Sequence, residues 1–232
     1  MIGAVVAFFQ VLLQFVKYLP MVIPWVLALL VIVLVRYLGG QFQHPTGWFG
    51  RTWMESILNK GNKALIDSAL RVLNARSGER IADIGFGGGY AIDQLLPQVK
   101  PACPIGVDVS EMMVDIGNEK WDDTVEIYLA AVTSMPLTEG SLDGAISVHT
   151  IYFWSDPVAA LQEIRRVLKP GGRLVLGVGD AWLMRLSPLS WFRFRLYSQD
   201  KLESLLMQAG FSVRFESVSG GLLAIATTPH AQ

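Results

Sequence analysis

The chain has 232 residues, a formal net charge of −1, and 17% charged against 52% hydrophobic residues, which suits one ordinary domain plus an appendage and leaves no room for two full domains. So apolar a composition argues against disorder, and the near-neutral balance gives no field that gathers nucleic acid, so no nucleic-acid partner is expected. One cysteine, Cys103, and three scattered histidines, His44, His149 and His230, supply neither a disulfide nor a metal-ligand spacing, and no metal is expected.

Acidic residues are absent from Met1 to Met54. Leu19 to Val35 is an uninterrupted apolar run of 17 residues. As a helix rising about 1.5 Å per residue it spans about 26 Å, enough to cross a thin bilayer. Pro20 and Pro24 lie near its start, where missing amide donors cost least, and Tyr18, Trp25 and Tyr37 suit the two interfaces. In the preceding stretch Gln10, Gln14 and Lys17 fall at i, i+4 and i+7 as one polar stripe. That segment either lies flat among headgroups or packs back on the run as a short hairpin. No basic leader or small-residue cleavage site marks a signal peptide, so the segment is expected to be retained. Arg36, Arg51, Lys60 and Lys63 follow the run while only Lys17 precedes it, which places the large domain on the cytoplasmic side. The competing reading is a buried or oligomer-forming helix of a soluble protein.

After the loop Gly39 to Gly47, a helical pattern runs from Trp48 to Asn74 with Leu65, Ile66, Ala69, Leu70 and Leu73 on one face. Strands are expected at Arg80 to Ile84, Ile105 to Val109, Val125 to Ala130, Gly144 to Val148 and Arg173 to Val178, with helices after the first, second and fourth. Such alternation implies a parallel sheet covered on both faces. A helix from Pro157 to Leu168 is expected to stop at Pro170-Gly171-Gly172, and one from Ser198 to Ala209 at Gly210. Phe211 to Ser217 and Leu222 to Thr227, split by Gly220-Gly221, read as a terminal hairpin.

The segment Arg80 to Gln98 is the most informative: a short apolar strand, Asp83, then Gly85, Gly87, Gly88 and Gly89, then a helix. Glycines there let the backbone turn sharply and approach a ligand at the C-terminal edge of a parallel strand. Tyr90 stands where a nicotinamide-type GxGxxG needs its third glycine, and no Gly-Lys-Ser/Thr follows to make a phosphate-cradling loop. Asp108 ends the next apolar strand, 25 residues after Asp83, where a carboxylate is placed to accept both hydroxyls of a ribose.

In ERIADIGFGGG, IGVDVSEMM, MPLTEGSLDGAISVHTIYFWSDP and LQEIRRVLKPGGRLVLG the chain resembles the class I S-adenosylmethionine-dependent methyltransferases, over about Trp48 to Thr228. The resemblance implies a Rossmann-like α/β fold, a seven-stranded mainly parallel sheet with helices on both faces and an antiparallel last strand, here preceded by N-terminal hydrophobic helices. It implies three parts: residues 1–38 as hydrophobic anchoring helices, 39–75 as linker and helices packing on the core, and 76–232 as the methyltransferase domain. It also implies S-adenosyl-L-methionine as cofactor. By position, the backbone of Gly85, Phe86, Gly87 and Gly89 would border the methionine part, Asp83 would meet its ammonium, Asp108 would hold the ribose, and Met112 or Met113 would face adenine. Where many relatives carry an acid that contacts the adenine amino group this chain has Ala131, leaving adenine to backbone at Val132. Losing one hydrogen bond of about 1 to 3 kcal/mol lowers affinity without excluding binding.

Methyl transfer from a sulfonium needs mainly alignment, so no catalytic triad is expected. After the fourth strand, His149 suits a proton acceptor and Tyr152 or Trp154 a cationic amine, with plain packing as the competing reading. The Asn/Asp-Pro-Pro-Tyr/Phe sequence of amide methylators is absent, and Cys103, in Ala-Cys-Pro, reads as a small buried residue. Ala181 to Tyr197 reads as a lid whose Arg185, Arg193 and Arg195, interleaved with Trp191, Phe192 and Phe194, either meet anionic headgroups or form a solvated face. The expected activity is methyl transfer to a lipid-phase or amphipathic small molecule at the cytoplasmic membrane face, the N-terminal helices holding the membrane. The rivals are a non-catalytic membrane scaffold and an NAD(P)-dependent oxidoreductase using Tyr197 and Lys201 as YxxxK. No sequence pattern specifies an oligomeric state.

Overall fold

A computed structural model describes residues 2–43, 45–47, 55–191 and 194–229. His44, residues 48–54, Phe192, Arg193 and His230, and the side chains of the Gln10, Gln14 and Lys17 stripe, lie outside what is described.

The elements run α1 (Ile2–Gln43), α2 (Glu55–Leu73), β1 (Ile81–Ile84), α3 (Tyr90–Val99), β2 (Ile105–Asp108), α4 (Glu111–Trp121), β3 (Glu126–Leu129), β4 (Leu142–Val148), α5 (Pro157–Val167), β5 (Leu168–Val178), α6 (Ala181–Leu186), α7 (Gln199–Gln208), β6 (Ser212–Val218) and β7 (Gly221–Thr227). One seven-stranded sheet has the order β3-β2-β1-β4-β5-β7-β6. β1 to β5 pair in parallel, and β7 runs antiparallel to both β5 and β6. The strands and the terminal hairpin expected from the sequence are all present, their ends shifted by a few residues.

Period-two alternation sends neighbouring residues to opposite faces. Ala82, Ile84, Leu174 and Leu176 pack with α5 and α7 through Leu161, Ile164, Leu202 and Leu206. Ile81, Ile146 and Val175 pack the other face against Leu65, Ala69 and Leu73 of α2 and Leu95 of α3. Asp156 caps α5 by accepting from the amides of Val158 and Ala159 at 3.1 and 3.0 Å, with Pro157 as first helical residue. α5 ends at Val167, and Leu168 already pairs with Leu142. The Lys-Pro-Gly-Gly segment expected to follow the helix as a stop is absorbed into β5, the register slipping between Leu142 and Gly144.

The N-terminus differs more. It is neither a hairpin nor two helices: α1 continues for 42 residues through Pro20 and Pro24, beyond the expected end at 38. Tyr18–Phe42 has a mean hydropathy of 2.6 and is long and apolar enough to cross a membrane. Its side chains are exposed from Tyr18 to Leu34, so it is no buried core helix of this chain, whereas Gly39 and Gln41 are buried where the helix end meets the body. Gln41 Oε1 accepts from Thr46 N at 2.9 Å and its amide donates to Thr46 Oγ1 at 3.1 Å, closing the turn after the helix.

Candidate active site

β1 and β4 lie side by side where the strand order reverses, and the loop leaving β1 fills the crevice above them. Gly85, Gly87 and Gly89 take φ of 76°, 48° and 75°, backbone that L side chains rarely adopt. A Cβ on Gly85 would collide with the Thr150 methyl, and one on Gly89 with the Trp121 indole. Both neighbours are pinned. Thr150 Oγ1 lies 2.5 Å from Ser147 Oγ, which donates to Ile84 O at 2.6 Å, and Trp121 Nε1 donates to Asp93 Oδ1 at 2.8 Å. Phe86 meets the Trp121 ring edge-on, with centroids 5.9 Å apart.

Two carboxylates flank this loop in different states. Asp108 accepts from Gly87 N through Oδ2 and from Ser110 N through Oδ1, each at 2.9 Å. Asp83 is 5% exposed and accepts no hydrogen bond among the described residues. Burial, reinforced by the Asp108 charge, pushes its carboxyl up to about 8. A buried acid lacking a protein donor, facing a cavity, fits a cationic ligand group.

The cavity holds about 480 Å³, within the range of small-molecule sites. Of the residues expected to bind a cofactor, Asp83, Gly85, Phe86, Gly87, Asp108, Met113 and Val132 all line it. Gly89 does not; it supports the loop from behind, against Trp121. Met113 is 1% exposed, whereas Met112 packs outside the cavity lining. Ala131 lines the wall beside Val132, where it offers no side-chain acceptor.

His149 also lines the cavity, in left-handed backbone with φ 60°. Tyr152 does not: it is 2% exposed and built into the core. Its hydroxyl accepts from Gly179 N at 2.6 Å and lies 3.3 Å from His149 Nδ1. With that amide already donating to the oxygen, one hydrogen bond joins the hydroxyl to Nδ1: the hydroxyl donates it in the Nε2–H tautomer and accepts it in the Nδ1–H tautomer. Burial holds His149 down at about 4, so the ring is neutral near pH 7. The expectation that Tyr152 faces an acceptor amine is therefore corrected: its hydroxyl is spent on the protein and its ring is packed.

Other expectations change as well. Arg195 donates to the carbonyls of Trp154 and Ser155 at 3.3 and 2.9 Å, so it braces the loop after β4 and does not reach for headgroups. Tyr197 and Lys201 both lie outside the cavity lining, which removes the YxxxK reading. Cys103 is half-buried, not fully enclosed. No cluster of His, Cys, Asp and Glu among the described residues can hold a metal ion.

Sequence reasoning missed several contributors. Asn59 and Asn62 line the cavity from α2, and Asn59 Nδ2 donates to Gly88 O at 3.0 Å. Their i, i+3 spacing just before the apolar Leu65 and Ile66 was the available signal. Phe42, at the end of α1, Pro45, just beyond it, and Phe194, whose ring centroid is 6.4 Å from that of Phe42, also line the cavity, and nothing in the local sequence pairs them.

Residues 82–176 match the family described as a methyltransferase domain. The O-methyltransferase cnsE of Penicillium expansum is 30% identical over 193 residues, covering 78% of this chain and 68% of that protein. A 37.1 kDa protein of a Streptomyces fradiae transposon is 40% identical over 114 residues, but these cover 48% of this chain and only 33% of that protein. A SAM-dependent methyltransferase from Aquifex aeolicus shares the fold, with a TM-score of 0.60 at 22% identity, over 73% of this chain and 91% of that one. The glycine loop, the paired acids and these matches together place the chain in the class I S-adenosylmethionine-dependent methyltransferases, with S-adenosylmethionine as its cofactor.

Proposed function

We propose that the protein methylates a lipid-phase or amphipathic small molecule at the cytoplasmic face of a membrane into which α1 is inserted. The observation that carries this reading is that one cavity has walls from both parts of the chain: Phe42 from the end of the hydrophobic helix and Pro45 just after it, Asp83 and Asp108 from the C-terminal ends of the strands. An acceptor entering beside Phe42 comes directly from the lipid side. The basic residues that follow the apolar run, Arg36 and Lys60 among them, favour the cytoplasmic orientation. In this reading residues 1–38 form the anchor, 39–75 join it to the core and 76–232 carry the chemistry.

Bound S-adenosylmethionine supplies a methyl group already made electrophilic by its sulfonium. Asp83 takes up the ammonium of the methionine part, and Asp108, its orientation fixed by Gly87 N and Ser110 N, accepts from the ribose hydroxyls. Among the described residues no side chain caps α3 at Gly89, which leaves its first-turn amides to meet the methionine carboxylate. Met113 and the backbone at Val132 bound the adenine. His149, in the tautomer whose Nδ1 accepts from the Tyr152 hydroxyl, presents Nε2–H and orients an acceptor oxygen or nitrogen by donating to it, with Tyr152 as a positioning residue. The rest of the cavity wall, including Phe153 and Phe194, excludes water and aligns the acceptor.

The test is to reconstitute the full chain into vesicles made from total membrane lipid and supply S-adenosylmethionine carrying a tritiated methyl group. Label should enter the organic extract, and a Val26→Arg/Leu30→Arg chain that no longer inserts should lose most of that incorporation while binding S-adenosylhomocysteine equally well. Equal incorporation by both chains contradicts the tether's role, and label confined to water-soluble products contradicts the acceptor class.

A further inference from the structure

Seven large apolar side chains are exposed outside α1 among the described residues, and four of them crowd one short segment: Trp182, Leu183, Leu186 and Trp191, each at least 60% exposed. Leaving such a patch in water is unfavourable, and a contiguous one marks an interaction surface. The segment is firmly built. Asp180 caps α6 by accepting from Trp182 N and Leu183 N at 2.8 and 3.1 Å, and Trp191 Nε1 donates to Arg185 O at 2.8 Å, so the indole satisfies its polar edge internally and presents its ring outward. Its inner side closes the cavity: Met184, Ser187 and Ser190 are lining residues. The 3-10 turn that follows, Pro188–Ser190, packs against α1.

We infer that the outer face of α6 and its following turn is a second membrane contact, lying in the headgroup–acyl boundary of the bilayer that α1 enters, and that an acceptor passes from that bilayer between α6 and the end of α1 into the cavity. This rests on the proposed insertion of α1. Three observations select lipid as the occupant. The 3-10 turn after α6 packs against α1, whose hydrophobic stretch ends at Phe42, itself a cavity residue. Trp182 and Trp191 are of the type that settles at the membrane interface. No acidic residue occurs from Ala181 to Tyr197, the Asp180 carboxylate is committed to the α6 amides, and Arg185 is exposed beside the apolar face, a charge pattern suited to anionic headgroups.

The same geometry accounts for a single segment having a cavity side and an apolar outer side. An acceptor too apolar to cross water needs a continuous apolar route, and α6 carries Met184 in the cavity wall and the exposed Leu183 next to it in sequence.

The test uses the full chain with Cys103→Ser, carrying either Leu183→Cys or Gln162→Cys labelled with a fluorophore, in phosphatidylcholine/phosphatidylglycerol vesicles containing lipid brominated high on the acyl chain. Gln162 is exposed on α5 near the start of β5, outside the cavity lining, and serves as the control. Quenching at position 183 several-fold above that at 162 is expected, falling to the control level when Trp182→Ser and Leu186→Ser are added, with S-adenosylhomocysteine affinity unchanged. Co-flotation with vesicles but equal quenching at both positions overturns this contact and leaves the α1 tether standing. Failure to co-float overturns both. A label at 183 shielded from brominated lipid, in a particle of twice the expected protein mass, assigns the face to a second copy and likewise overturns the proposal.

Discussion

Asp83 and Asp108 sit at the ends of neighbouring parallel strands, yet the fold gives backbone donors only to Asp108. The unpartnered acid is the one raised to about 8, against 3.8 for a free aspartate.

That asymmetry predicts opposite pH responses for the ligand-free and ligand-bound protein. Between those two values folded Asp83 holds a proton that the unfolded chain has released, so its contribution to stability falls as pH rises through the window. The ligand-free melting temperature should therefore drop from about pH 6.5 to about pH 8, above the range in which His149, buried neutral, contributes the opposite slope, and Asp83→Asn should flatten that drop. Binding a cationic ammonium ionises the group, so S-adenosylmethionine affinity should rise across the same range with release of a proton. Calorimetry in two buffers of different ionisation enthalpy measures the release directly; a pH-independent affinity with no proton exchanged contradicts the assignment.

Gly89→Ala should destabilise the protein by about 1 to 3 kcal/mol, because it puts a Cβ on left-handed backbone and overpacks a pinned indole. Adding Trp121→Leu should recover part of the loss, since only the collision is relieved. Thermal melts of the two single variants and the double variant check this, and strictly additive losses argue against the contact as the cause.

His149, lowered by burial to about 4, should contribute no inflection to the rate between about pH 5.5 and pH 8. Nitrogen-15 spectra should show the proton on Nε2 in the wild type and a mixed population in Tyr152→Phe, which frees Nδ1. His149→Ala should lower kcat more than it weakens S-adenosylhomocysteine binding. An imidazole titrating near its ordinary value, or a rate following that titration, restores the general base.

The sheet was legible in the sequence because its strands are short apolar runs, those of β1, β2 and β5 closed by glycine or acid, and period-two packing then fixes which side chains enter the core. The cofactor acids were legible for the same reason: Asp83 and Asp108 each close such a run. The roles of Tyr152 and Trp121 were not, since a tyrosine that faces an acceptor and one that steers a neighbouring histidine look alike in a string of residues. Gln41, Phe42 and Pro45 were read as linker because their partners, Thr46 apart, come from segments far along the chain. The single long helix was hidden by Pro20 and Pro24, which ordinarily interrupt helices.

The crevice beside Asp108 should hold S-adenosylmethionine, which is tested by calorimetric titration of the full chain with S-adenosylmethionine, S-adenosylhomocysteine and NADH, beside Asp108→Ala shown by its melt to be folded. Micromolar binding of the first two, weakened in the variant by about 1.5 to 3 kcal/mol or roughly 10- to 150-fold, is the expected result. Binding of NADH in their place, or wild-type affinity in the variant, contradicts it.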